Sequence, residues 1–171
     1  MAIIRSAQRG DVSTIAAINV RGWQAAFRDI IPDNFLDRMD SEERRSFVGR
    51  MIRTGDPYHV AVAEDAGEVV GYVMLGPPIS EDLESSGIHE LYSLYIEPDR
   101  IGTGLGRSLM DHAIQYLRNG DWDGAVLWTF QDAQRTSKFY ERAGCYRDGT
   151  ETIEEIPEGN PVIQVRYRFD L

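Results

Sequence analysis

The sequence predicts a three-layer α/β (α+β) fold, with a mixed, mostly antiparallel central sheet flanked by helices. Three observations carry that expectation. Strand-like and helix-like stretches follow one another in the order β α α α β β β α β α β β. Two alternating stretches, residues 58–64 and 69–75, flank the tight turn Asp65-Ala66-Gly67 and read as an antiparallel hairpin. Residues 90–117 pass from a strand through a glycine-spaced turn into an amphipathic helix, and a buried strand follows at 125–130. Hairpins and crossover helices in one chain call for a mixed sheet.

In order, residues 2–6 read as the first strand. From Asp11, read as an N-cap, Val12, Ile15, Ala16, Trp23, Ala26 and Phe27 recur at helical spacing. Pro32 interrupts, and a short helix carrying Phe35, Leu36 and Met39 follows. A more polar helix starts at Ser41, keeps Phe47, Val48, Met51 and Ile52 on one side, and stops at Gly55-Asp56-Pro57. In the hairpin, Val60 and Val62 share a face. Gly76-Pro77-Pro78 ends it, and residues 77–87 are polar, acidic and loop-like. Asn119-Gly120-Asp121 turns the chain after the central helix. Asp132 is read as the N-cap of a last helix bearing Phe139, Tyr140 and Ala143 and ending at Gly144. Two closing strands lie at about 146–156 and 162–169. With no repeat, low-complexity segment or linker, residues 1–171 read as one domain.

The chain's 171 residues suffice to bury a core without disulfides or metals. Its 42% hydrophobic and 27% charged residues are the balance of a globular protein, and no apolar run approaches membrane-spanning length. The opening MAIIRSAQRGD has no signal-peptide pattern, and lone Cys145 has no partner for an internal disulfide, so a cytoplasmic location is expected. A net charge of −10 argues against nonspecific binding to nucleic acid or an anionic membrane. It favours a cationic partner reaching an acidic cleft, or serves solubility alone.

The stretch most informative about function is I-G-T-G-L-G, at Ile101, Gly102, Thr103, Gly104, Leu105 and Gly106. A glycine turn opening a helix leaves backbone N–H groups unpaired beside the positive end of the helix dipole, which suits a phosphate. A Walker loop would need Gly-Lys-Ser/Thr, whereas Gly106 is followed by Arg107-Ser108. A Rossmann site would need an early βαβ unit and an acidic residue ending the next strand, which here ends in Thr129-Phe130. The third reading is a pyrophosphate cradle after a strand that breaks at Pro98, whose open edge can pair with an extended pantetheine-like arm.

The pattern Y-I-E-P-D-R-I-G-T-G-L-G-R-S-L, followed by F-Y-E-R-A-G at 139–144, resembles the GNAT superfamily of acetyl-CoA-dependent N-acetyltransferases. The element order and the early Trp23, Ala26 and Phe27 resemble it too. Of the family's phosphate signature Gln/Arg-x-x-Gly-x-Gly/Ala, Gly104 and Gly106 are present, while Ile101 stands at the Gln/Arg position. The resemblance implies acetyl-CoA as donor, no metal, and backbone N–H groups from Ile101 to Ser108 on the pyrophosphate, with Leu94, Tyr95 and Ile96 along the pantetheine arm. The acceptor it implies is a small-molecule or peptide amine; a homodimer is left open.

Amide formation from a thioester needs a base for the amine, stabilisation of an oxyanion, and a proton for the departing thiolate. By the same resemblance Tyr140 is the expected acid, the Leu94 N–H the oxyanion donor, and Glu90 the base, directly or through water. Strand alternation would place Glu90, Tyr92, Leu94 and Ile96 on one face. Asp132 stands where the family often has a coenzyme-touching asparagine, although a cap needs no such role. Ser137, Lys138 and Arg142 face the adenosine end or solvent. Trp23, Phe27, Phe35, Tyr72 and Tyr92 are candidates for the acceptor pocket, or are core aromatics. Cys145 is expected to be a buried packing residue, and His59, His89 and His112 do not suggest a metal site. The competing readings are a non-catalytic acyl-CoA-binding module and a peptide N-terminal acetyltransferase.

Overall fold

The strands are β1 (Ile3–Ser6), β2 (His59–Asp65), β3 (Glu68–Gly76), β4 (Ile88–Ile96), β5 (Gly124–Phe130), β6 (Tyr146–Glu154) and β7 (Val162–Asp170). They form one sheet in the order β1-β2-β3-β4-β5-β7-β6, with every pairing antiparallel except β4 with β5. The helices are α1 (Val12–Phe27), α2 (Asp33–Asp37), α3 (Glu42–Thr54), α4 (Leu105–Asn119) and α5 (Gln134–Arg142). This computed structural model describes residues 2–84 and 86–171; Met1, and Ser85 within the expected loop 77–87, lie outside the described residues. The element order and mixed, mostly antiparallel sheet match the sequence reading.

The two sheet faces are covered by different helices, which gives the three layers. On one face Leu109, Met110, Ala113 and Leu117 of α4 and Tyr140 of α5 pack on Val73, Leu75, Leu127, Val165 and Tyr167. On the other, Ile15 and Ile18 of α1 and Val48 and Met51 of α3 pack on Val60, Val62, Tyr72 and Met74. Phe27, Ile31, Leu36, Phe130 and Ile156 extend that second layer over β5. Full burial of each large aliphatic side chain favours the fold by about 1.5–3 kcal/mol. Cys145 joins the first layer, and burial pushes its thiol up to about 12, so it is a packing residue in the thiol form.

Local chemistry explains most element ends. The β2–β3 hairpin closes through Ala66 and Gly67, whose φ angles of 52° and 84° suit the right-handed twist of the two strands. Two expected caps are displaced. Asp11 closes a short 3₁₀ turn (Arg9–Asp11) by accepting the Gln8 N–H at 2.7 Å, and it pairs with Arg5 at 2.7 Å. That salt bridge outcompetes a cap on α1. Asp132 lies one residue too early: Ala133 flanks α5, and the Asp132 carbonyl, not its carboxylate, meets the Gln134 N–H.

Two irregularities in β4 matter most. It pairs with β5 only at Ile88↔Gly124, His89↔Ala125 and Glu90↔Val126; beyond Glu90, β4 follows β3 while β5 follows β7. A register shift also falls where Met74 pairs with Ser93 and Leu75 with Leu91, leaving Tyr92 as an extra residue. The expected single face for Glu90, Tyr92, Leu94 and Ile96 is therefore wrong. Tyr92 packs with the α1–α3 layer, whereas Leu94 and Ile96 pack with the α4 layer.

The histidines are structural. His59 and His112 meet Nε2 to Nε2 at 2.9 Å, and His59 stacks on Tyr116 with ring centroids 4.0 Å apart. His89 is buried and lies 4.0 Å from the Trp122 ring. Burial, and then repulsion from a charged His112, pulls His59 down to about 4. An unfolded histidine titrates near 6.5, so between those values the unfolded chain binds a proton that the folded chain refuses. His59 therefore adds its full stability above pH ~6.5 and loses it as pH falls toward ~4. Urea midpoints should drop between pH ~7 and ~5, and His59→Gln should flatten that drop; equal slopes would remove His59 as a source.

Candidate active site

The parting of β4 from β5 opens a cleft of about 360 Å³ bounded by Leu94, Tyr95 and Ile96 on one side and by α4, α5 and α1 around it. In β4, the Glu97 N–H donates to Val70 of β3 at 2.9 Å. Alternation then turns the Tyr95 N–H toward β3 as well, and turns the N–H groups of Leu94 and Ile96 toward the open edge. The strand edge expected to receive an extended arm is thus present at Leu94 and Ile96. Tyr95 contributes wall rather than hydrogen bonds, with its ring among α1-side aromatics.

The glycine turn forms the end of the cleft. A 3₁₀ turn (Pro98–Arg100) ends the strand's direction, and Gly102 and Gly104 then adopt φ angles of 89° and 92°, which other residues resist. Of the eight N–H groups expected to face a pyrophosphate, three are engaged: Ile101 with Pro98, Thr103 with Arg100, and Ser108 with Gly104. Those of Gly102, Gly104, Leu105, Gly106 and Arg107 have no acceptor among the described residues, at the first turn of α4. Side chains divide differently. Leu105 is buried in the α4 core, Thr103 donates its hydroxyl to the Arg100 carbonyl, and Ser108 turns its hydroxyl toward Gly104. Gly106 sits close to α5: an added Cβ would lie 3.3 Å from the Phe139 ring, which would have to give by a few tenths of an ångström.

The Ile101 side chain lines the cleft as an apolar wall. Arg100 is held by Asp65 at 3.0 Å. Arg107 lines the cleft while pairing with Asp111 at 2.8 Å. Arg135, at the start of α5, lines it too, and sequence reading missed it together with Thr136, Phe139 and Gly22. Gly22 carried a usable signal. A glycine inside an amphipathic helix costs about 1 kcal/mol, and here an added Cβ would run into the Tyr95 ring. Arg135 had none beyond its place at a helix start.

Tyr140 lines the cleft from α5, and burial raises its phenol well above the usual tyrosine range, so it carries its proton throughout neutral pH. Ser137 is buried on α5 with its hydroxyl unpartnered, and neither it nor exposed Asp132 lines the cleft. Trp23, Phe27 and Phe130 form an edge-to-face cluster with ring centroids 5.1, 5.8 and 4.9 Å apart; Phe27 is core, and Trp23, partly buried, packs against it. Tyr72 is fully buried and accepts from Asn19 at 2.7 Å. Phe35 edges a separate surface hollow with Arg38 and Arg44.

Glu90 lies at the last β4–β5 pair and points into a second hollow of about 520 Å³, formed by residues 79–82, Trp128 of β5, residues 150–152 of β6, and Gln164 and Arg166 of β7. It is 6% exposed. The Ile79 N–H donates to its Oε2 at 2.8 Å. Burial raises its carboxyl above the usual range, against the Ile79 and Ser80 backbone and the charge of Arg166. Tyr92 donates its hydroxyl to the Pro77 carbonyl and anchors this loop. Among the described residues, no group of three or more His, Cys, Asp or Glu is arranged to hold a metal ion, and no helix is long and apolar enough to cross a membrane.

The chain shares 32% identity over 137 residues with an uncharacterized N-acetyltransferase of Archaeoglobus fulgidus, covering 80% of this chain and 88% of that one. It shares 28% over 133 residues with the uncharacterized N-acetyltransferase YuaI of Bacillus subtilis, covering 77% and 73%. The structure of YncA from Salmonella typhimurium, solved with its cofactor acetyl-CoA, has the same fold, with a TM-score of 0.76 at 21% identity over 99% of this chain and 94% of that one. Residues 22–145, which span the cleft from Gly22 to Tyr140, match the model of the acetyltransferase (GNAT) family, and the chain belongs to that family.

Proposed function

We propose that this N-acetyltransferase moves an acetyl group from acetyl-CoA to a primary amine by direct attack, with Glu90 as base and Tyr140 as acid. The observation that carries the reading is the gap between β4 and β5, with free N–H groups at its far end, Tyr140 on one sheet face and Glu90 on the other. The cleft fits the donor: the unpaired N–H groups of the glycine turn suit a pyrophosphate, and the open edge at Leu94 and Ile96 suits a pantetheine arm. Acetyl-CoA supplies the activated thioester.

Each residue then has one task. Glu90, kept basic by burial, accepts the proton of the attacking ammonium or amine, directly or through water. The Leu94 N–H donates to the carbonyl oxygen as negative charge builds there. As the new C–N bond forms and the C–S bond breaks, Tyr140 donates to the departing sulfur. A thiol titrates near 8.5, below a buried phenol, so the larger share of this help is a strong hydrogen bond rather than early proton transfer.

The acceptor's charge follows from the Glu90 hollow. Asp82, Glu90 and Glu151 line it against one cation, Arg166, whose guanidinium is taken up by Asp82 and Asp148. A cationic amine is favoured there, and a carboxylate beside the reacting amine is opposed.

Tyr140→Phe should lower kcat roughly a hundred- to ten-thousandfold with little change in acetyl-CoA affinity, measured by thiol release and calorimetry. Unchanged turnover would remove Tyr140 from the chemistry. Glu90→Gln should flatten the rise of kcat/KM with pH; an unaltered profile would give the base role to water or another group. In a panel of polyamines, aminoglycosides, peptides and amino acids, diamines and polyamines should exceed α-amino acids in kcat/KM by about tenfold, the scale of one screened like-charge contact. Binding of acetyl-CoA without turnover of any amine would favour a non-catalytic acyl-CoA-binding module.

A further inference from the structure

Arg166 is an arginine in the interior of a strand, 5% exposed, that the proposed reaction does not use. Its Nε donates to Asp148 of β6 at 2.7 Å, and its two terminal nitrogens donate to Asp82 at 2.9 and 2.8 Å. Its guanidinium lies over the Trp128 ring, 5.6 Å from the centroid. Desolvating an arginine is expensive, and such a network is weak evidence of a contribution to stability. A role at the site accounts for it better.

Asp82 belongs to the segment that covers Glu90. That segment is fastened at successive points: the Tyr92 hydroxyl donates to the Pro77 carbonyl, the Ile79 N–H to Glu90 at 2.8 Å, the Trp128 Nε1–H to Ser80 Oγ at 3.4 Å, and Arg166 to Asp82. Only the last is a two-pronged, charge-assisted contact, and it joins the segment to the far side of the hollow on β7. The charged and titratable groups around Glu90 are Asp82 on the segment, Glu151 on β6 with Asp148 behind Arg166, Arg166 on β7, and Tyr92 on its own strand with Tyr58 beyond it. All except Arg166 are negative or neutral at pH 7.

We propose that Arg166 is the positioning residue for Glu90: through Asp82 it holds the 79–82 segment so that the Ile79 N–H meets the Glu90 carboxylate, and it faces that carboxylate with positive charge. The role in turnover rests on the reading of Glu90 as base, whereas the effect on the carboxyl itself does not.

The test uses the full chain with glutamate carboxyls labelled by carbon-13, the Glu90 signal being assigned from its absence in Glu90→Gln. The Glu90 titration is read by NMR, and kcat/KM is read against pH with acetyl-CoA and spermidine. Arg166→Gln should raise the Glu90 midpoint on the order of one pH unit, as expected for loss of an opposite charge, and Arg166→Lys should restore most of it. Asp82→Asn cuts the link to the segment, loosens the Ile79 N–H from the Glu90 carboxylate and should raise the midpoint as well, because Asp82 is exposed and its own charge is screened by water. A rise on cutting either end of the link is not expected of a merely structural residue. If Arg166→Gln does not fold, Asp82→Asn decides. A midpoint that does not rise in Asp82→Asn, or in a folded Arg166→Gln, would overturn the proposal. Midpoints that move while the kinetic profile stays fixed would support the positioning of Glu90 and overturn its role as base.

Discussion

The β4–β5 pairing stops after Glu90, and everything at this site depends on that stop. A parallel pair continued to Ile96 would use the N–H groups of Leu94 and Ile96 in the ladder and leave no cleft. Beyond Glu90 each strand follows its other neighbour: β4 is paired with β3 as far as Ile96, and β5 with β7 as far as Phe130. Their directions diverge with the twist of the sheet. The bulge at Tyr92 sharpens the effect. It keeps Glu90 and Tyr92 on the α1–α3 side while Leu94 and Ile96 turn to the α4 side. One irregular strand therefore serves two compartments.

Those compartments are electrostatic opposites. The donor side offers oriented N–H groups of the glycine turn and the guanidinium groups of Arg107 and Arg135. The Glu90 side offers carboxylates around an arginine that is already paired. The two sides thus suit ligands of opposite charge, and the gap between the strands joins them. The division also fits the separate pressures on the two titratable groups. Burial raises both Glu90 and Tyr140, which gives a more basic carboxylate on one face and a phenol that keeps its proton on the other.

The sequence made the fold legible because its evidence was local and repeated. Alternation, the Ala66-Gly67 turn, Pro32 and the glycines at 102, 104 and 106 each act within a few residues. The glycine turn and the helix start after it were legible for the same reason. What stayed hidden depended on partners far along the chain. Asp11 looked like a cap until Arg5 claimed it, and a cap at Asp132 was misplaced by one residue. The bulge in β4 is set by its register with β3, which no pattern within β4 reveals. Arg166 and Arg168 alternate with Val165, Tyr167 and Phe169 in one strand. Only the assembled sheet distinguishes Arg166, itself buried and paired with Asp148, from Arg168, paired with Asp170 near the surface.

Ile101 shows how little the glycine turn depends on any single side chain. The family signature has a polar residue there, and this chain has an exposed isoleucine that serves as cleft wall. The backbone contribution is untouched, because it comes from φ angles at Gly102 and Gly104 and from the first turn of α4. Nor does the overall charge of −10 defeat it. At physiological ionic strength, fields from distant surface carboxylates fade over about 8 Å, whereas N–H groups at a helix start act in direct contact. Arg135, on a different helix and in no sequence motif, lines the cleft as well. A turn built from backbone conformation does not rely on the side chain at 101, and that is why a motif-level departure at Ile101 leaves the geometry of the cleft intact.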